Sequence, residues 1–174
     1  MKAARAQRII TKASIQAFAQ KLTGKGILCH HATLAILRFV ALNDSIIPST
    51  TDANRFGITL MDKRHEIGEA FDPKRLIPPN LYDVFGFFRT QGGFIAHSSL
   101  VIEPAEEGTL ANWNNKTKAV DFIPFTEILK YYSGFLGPIE ITAFSLTRLI
   151  QFISAPEMIN PKTLTSLNDI SMGK

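Results

Sequence analysis

Asp83-Val84-Phe85-Gly86-Phe87-Phe88-Arg89-Thr90-Gln91-Gly92-Gly93-Phe94-Ile95-Ala96-His97-Ser98-Ser99-Leu100-Val101-Ile102-Glu103 is the stretch whose reading decides the fold. Two runs rich in β-branched and aromatic residues flank the turn Thr90 to Gly93, and a four-residue link containing glycine reads as a β-hairpin. A third strand follows over Thr109 to Asn115, after the turn Pro104 to Gly108, and a fourth short one over Val120 to Ile123. Upstream the periodicity is helical. Ala6, Ile9, Ile10, Ala13 and Ala17 recur at helical spacing over about residues 3 to 22, with Arg5, Arg8 and Lys12 on another face. Gly24-Lys25-Gly26 stops that helix. A second helix, from about Cys29 to Leu42, is apolar nearly all round, as a helix buried in a core must be.

Asn43-Asp44 and Pro48 to Asp52 read as a polar loop, and a short helix is expected near Leu60 to Phe71. Past the strands, Pro124 opens a helix through about Tyr132 that ends at Gly134; Ile139 to Ala143 reads as a last strand and Leu146 to Ile153 as a last helix. Helices first and a mostly antiparallel sheet afterwards define an α+β chain. No internal repeat or linker divides it, so a single domain is expected over 1–174. Its parts are a basic amphipathic N-terminal helix (1–23), a core (24–155) and a loose polar tail (156–174).

The chain has 174 residues, a net charge of +4 and one cysteine. That length suits one ordinary domain, and a 45% hydrophobic composition is too high for a disordered chain. One thiol excludes an intramolecular disulfide framework and a cysteine-rich structural zinc site. The most apolar run, Ala32 to Leu42, is too short to cross a bilayer and carries Arg38, and no secretory apolar segment opens the chain. Every acidic residue comes after position 43, whereas Lys2, Arg5, Arg8, Lys12, Lys21, Lys25 and Arg38 come before it. Such a start is compatible with weak contact to an acidic membrane through Arg5, Arg8 and Lys12. The mild overall charge does not point to nucleic acid.

Cys29 is the residue through which chemistry would enter. It follows a glycine-rich turn and opens the buried helix, where unpaired amides and the helix dipole favour a thiolate. A thiol nucleophile wants an imidazole to hold the ion pair and protonate the leaving group, and His97, between Ala96 and Ser98, is the candidate. The ring in turn needs an orienting group. If the following hairpin turns tightly around Ala105-Glu106, Pro104 pairs with Glu107; His97 then lies opposite Asn114, with Asn112 one diagonal away on the same face. Asn112 and Asn114 are the candidates, Asn115 is favoured by a one-residue change in the turn, and Asp121 is a more distant substitute. His30 and His31 beside Cys29 do not make a metal site, because neighbours on a helix point about 100° apart. Phe85, Phe87, Phe88 and Phe94 sit in apolar strands and are expected in the core.

Gly24-Lys25-Gly26-Ile27-Leu28-Cys29 entering a buried helix, then Ala96-His97-Ser98-Ser99-Leu100-Val101-Ile102, then Asn112-Trp113-Asn114-Asn115, resembles the papain-like cysteine peptidase superfamily in the order Cys, His, Asn and in placing helices before the sheet. The resemblance implies a papain-like fold over 24–145, with a Cys-bearing helix packed on a mostly antiparallel sheet. It implies acyl transfer on a protein or peptide amide: Cys29 attacks the carbonyl, His97 protonates the departing group, and Asn112 or Asn114 fixes the ring. Peptidases, amidases, glutamine deamidases and acyltransferases share that scheme without a cofactor. Compact members include bacterial effectors and toxins, which implies a cytoplasmic site of action or specialised delivery into a target cell. The competing expectation is an interaction protein, such as a toxin-neutralising partner, with Cys29 in its core, since free cysteine is among the most buried residue types.

Overall fold

A computed structural model describes residues 10–74, 78–104, 108–136 and 138–154. Twelve elements follow one another: α1 (Lys12–Gln20), α2 (Cys29–Leu42), α3 (Thr50–Asp62), α4 (Arg64–Ile67), β1 (Gly68–Phe71), β2 (Val84–Arg89), β3 (Ile95–Glu103), β4 (Thr109–Asn114), β5 (Ala119–Pro124), α5 (Phe125–Leu136), β6 (Ile139–Phe144) and α6 (Leu146–Ile153). The six strands form one antiparallel sheet in the order β1-β6-β2-β3-β4-β5. The α+β reading therefore holds.

Successive residues of a strand face opposite ways, and here the two faces bury separate cores. Val84, Phe88, Leu100, Ile102, Ala111, Trp113 and Phe144 pack with α1, α2, α3 and α6. Phe85, Phe87, Val101, Leu110 and Ile141 pack on the other face with Phe125 and Ile128 of α5. Helix α2 lies on β3 and β4, and its residues 31–37 and Phe39 are buried, which is why its sequence is apolar all round. Its single charge is neutralised in place. Arg38 meets Asp52 of α3 at 3.2 Å and donates through Nε to the Ile153 carbonyl of α6 at 2.9 Å, while Arg55 reaches the other Asp52 oxygen at 3.3 Å.

The stretch between α2 and the sheet is more structured than the sequence reading expected. Thr50 to Asp52 belong to α3 rather than to a loop, because the Ser49 hydroxyl accepts from the Asp52 amide and caps the helix. Ala53, Phe56, Gly57 and Leu60 then give the buried stripe. The helix expected near Leu60 to Phe71 is instead the end of α3, the short α4 and strand β1, which pairs with β6. Helix α5 continues past Gly134 to Leu136. Phe94 is 65% exposed, a correction to its expected place in the core, because it sits in the hairpin link rather than in a strand. Residues 1–9, the turn at 105–107 and the tail lie outside the described residues, and so do the expectations for Arg5 and Arg8. Lys12 pairs with Glu103 at 2.5 Å.

Gly86 shows how closely the larger core is packed. It lies in the middle of the sheet between Ser98 and Thr142, where a Cβ would come within 2.7 Å of the Phe88 ring and 3.2 Å of the Phe144 ring. Gly86→Ala is expected to destabilise the fold by about 1–3 kcal/mol through overpacking, read as a lower urea midpoint at unchanged slope.

Candidate functional site

Cys29 opens α2 after Leu28, which caps the helix by backbone geometry alone. Its sulfur sits where the amides of Ser98, His30 and Cys29 itself draw its pKa down, yet burial outweighs them and raises the thiol above its ordinary value. At physiological pH the group is therefore a thiol rather than a thiolate. Beside it, a short chain of hydrogen bonds ties α2 to β3. Thr33 Oγ1 donates to the Ser98 carbonyl at 3.1 Å and Ser98 Oγ donates to Thr33 Oγ1 at 3.2 Å. His30 Nδ1 meets Ser98 Oγ at 2.7 Å, the shortest contact of the three. This contact anchors the start of α2 to β3. The His30 ring lies against Gly57 of α3, where a Cβ would meet Cδ2 at 2.8 Å.

His97 lies on the other side of the sheet. A bulge at Phe87/Phe88 leaves Ala96 as an extra residue, so Ile95 packs in the core beneath α2 while His97 faces away from it. The His97 ring contacts Phe87, with centroids 5.6 Å apart, and Phe87 belongs to the core that α5 covers. Cys29 and His97 thus face opposite sides of the sheet, and only Ser98, the residue after His97, meets the α2 terminus. The two features that made each residue a candidate, a helix terminus and a small-residue strand, carry no information about facing.

His97 does meet an asparagine. Ladder pairs Leu100↔Ala111 and Val101↔Leu110 give the register that puts His97 opposite Asn114. The hydrogen bond nevertheless runs on the diagonal, from His97 Nε2 to Asn112 Oδ1. Since an amide oxygen only accepts, Nε2 carries the proton. Asn114 is engaged elsewhere: Nδ2 donates to Asp121 Oδ2 at 2.8 Å, and Oδ1 accepts from the amides of Lys116 and Thr117, closing the β4–β5 turn. Asn115 accepts from Lys118 Nζ at 2.8 Å.

Asn112, Asn114 and Asp121 share the α5 face and line a cavity of about 270 Å³ between α5 and the β4–β5 ribbon. Glu127 and Tyr131 complete its rim, and neither stood out in the sequence, where α5 reads only as a helix. Among the described residues no group of three or more His, Cys, Asp or Glu side chains is placed to hold a metal ion, and no helix is long and apolar enough to cross a membrane. No protein-family model matches the chain, and no curated protein or solved structure does either.

Burial lowers both His30 and His97 to a pKa of about 4, with the Asn112 bond opposing the shift at His97. Between pH 6.5 and 4 the unfolded chain takes up protons that the folded chain refuses, so stability falls as pH falls. Each histidine adds a slope of up to about 1.4 kcal/mol per pH unit. Urea unfolding between pH 7 and 4.5 is expected to show the loss, and His30→Asn to show a shallower slope than the parent.

Proposed function

We propose that this chain works by recognition: it is an interaction protein in which Cys29 is structural. The observation that carries this reading is the placement of Cys29 and His97 on opposite faces of the sheet, with the imidazole buried beside Phe87 and the thiol at the start of α2. Two further features support it. The thiol is held above its ordinary pKa, and His97 has its Nε2 proton on Asn112, so its effect is to orient that amide rather than a nucleophile.

A second reading, a papain-like thiol enzyme acting on a protein or peptide amide, is favoured by the same His97–Asn112 bond, because an amide oxygen that orients an imidazole is the third member such an enzyme needs. The order of a Cys-bearing helix before an antiparallel sheet supports it too. It requires the His97 ring to reach the opposite face of β3.

Alkylation of the native protein with iodoacetamide separates the two. Slow labelling at pH 6, rising only as the pH approaches and passes the normal thiol range and unchanged in His97→Gln, is expected for a structural cysteine. Rapid labelling at pH 6 that is lost in His97→Gln would establish an activated thiolate and the enzyme reading. Cys29→Ala is expected to cost about 1 kcal/mol of stability and to leave partner binding unchanged.

A further inference from the structure

We propose that the cavity between α5 and the β4–β5 ribbon binds a neutral polyhydroxylated ligand, a single sugar unit. The inference deepens the recognition reading and rests on it. Its floor is Asn112. This residue is 8% exposed, and the bond from His97 fixes which end of the amide is which: Oδ1 is held by the imidazole, which leaves Nδ2 as the end that Asn112 can offer to the cavity it lines. Nδ2 has no partner among the described residues. A side-chain amide held in one orientation on the wall of a cavity offers its two donors to an acceptor that enters.

The rim has the opposite requirement. Asp121 faces Asn112 across the β4–β5 ladder and accepts one hydrogen bond from Asn114, leaving acceptor capacity on its carboxylate. Glu127, in the first turn of α5, is exposed and has no hydrogen bond or ion pair among the described residues, and the exposed Lys116 stands at the same rim. The walls are apolar: Ile123 and Ile128, with the half-exposed ring of Tyr131 at the mouth.

A ligand that satisfies this lining accepts at the floor and donates at the rim within a few ångströms, and presents a flat C–H surface to the walls. An ammonium or guanidinium donates only and leaves Asn112 Nδ2 unpaired; a phosphate accepts only and, although Lys116 also lines the mouth, brings its charge against the two carboxylates. Hydroxyl groups do both. Neighbouring hydroxyls on one sugar ring place an acceptor and donors side by side, and the axial C–H face of such a ring packs on Tyr131 and the isoleucines. A cavity of about 270 Å³ is of single-ring size, below the usual range for larger ligands.

Nitrogen-15 NMR on the whole chain tests this directly, because the Asn112 side-chain amide is itself a reporter. Glucose, galactose, mannose and N-acetylglucosamine are titrated at millimolar concentration, with glutamine and lysinamide as the carboxamide and cationic alternatives. A saturable shift of the Asn112 NH₂ resonances with at least one sugar is expected, weakened at least about tenfold in Asp121→Asn and in Glu127→Gln by loss of charged acceptors. Both variants keep the fold: the introduced amide oxygen at 121 still accepts from Asn114, and Glu127 is exposed. Absence of any shift with all four sugars overturns the proposal, as does a shift with glutamine or lysinamide alone, or sugar binding that both variants leave intact. Failure here leaves slow Cys29 labelling and the recognition reading standing; rapid His97-dependent labelling removes that reading through a different residue pair.

Discussion

A β-strand presents successive side chains to opposite faces, and in this molecule that constraint separates two functions of one short segment. Within Ala96-His97-Ser98-Ser99, His97 and Ser99 face the α5 side, while Ser98 faces α2. Ser98 joins His30 and Thr33 to seat the helix, and His97 fixes the amide of Asn112. The bulge at Ala96 makes this possible, because it returns Ile95 to the larger core without moving His97 off the smaller one.

The elements with strong periodicity were legible. Helix α2 and the last helix run as read, and the hairpin is placed within a residue at each end, because a continuous apolar helix and a glycine-centred link have few alternative structures. What escaped was local chemistry overridden by context. Thr50-Thr51-Asp52 has the composition of a loop, and only the cap by Ser49 makes it a helix start. Gly68 to Phe71 is four residues long and becomes a strand because β6 is there to pair with it.

The site divides in the same way. That His97 shares a face with Asn112 and Asn114 follows from the register and could be read from the chain. That α2 covers the other face could not, since alternation says which residues are together and is silent on what packs over them. Choosing between the asparagines needed the side-chain bonds as well. Asn114 is spent on Asp121 and on two turn amides, which leaves Asn112 to the imidazole.

The open sheet also has two edges, and both are unattractive to another strand. β1 has only four residues, with Glu69 pointing outward to solvent, and β5 carries Asp121, follows the cations Lys116 and Lys118, and ends at Pro124. Short length, charge and proline are the features by which sheets discourage edge-to-edge growth. The Gly24 amide donates to the Lys118 carbonyl at 2.7 Å just ahead of β5, which removes one acceptor at the start of that margin. A chain so rich in buried phenylalanine thereby keeps its folded form from acting as a template for fibres.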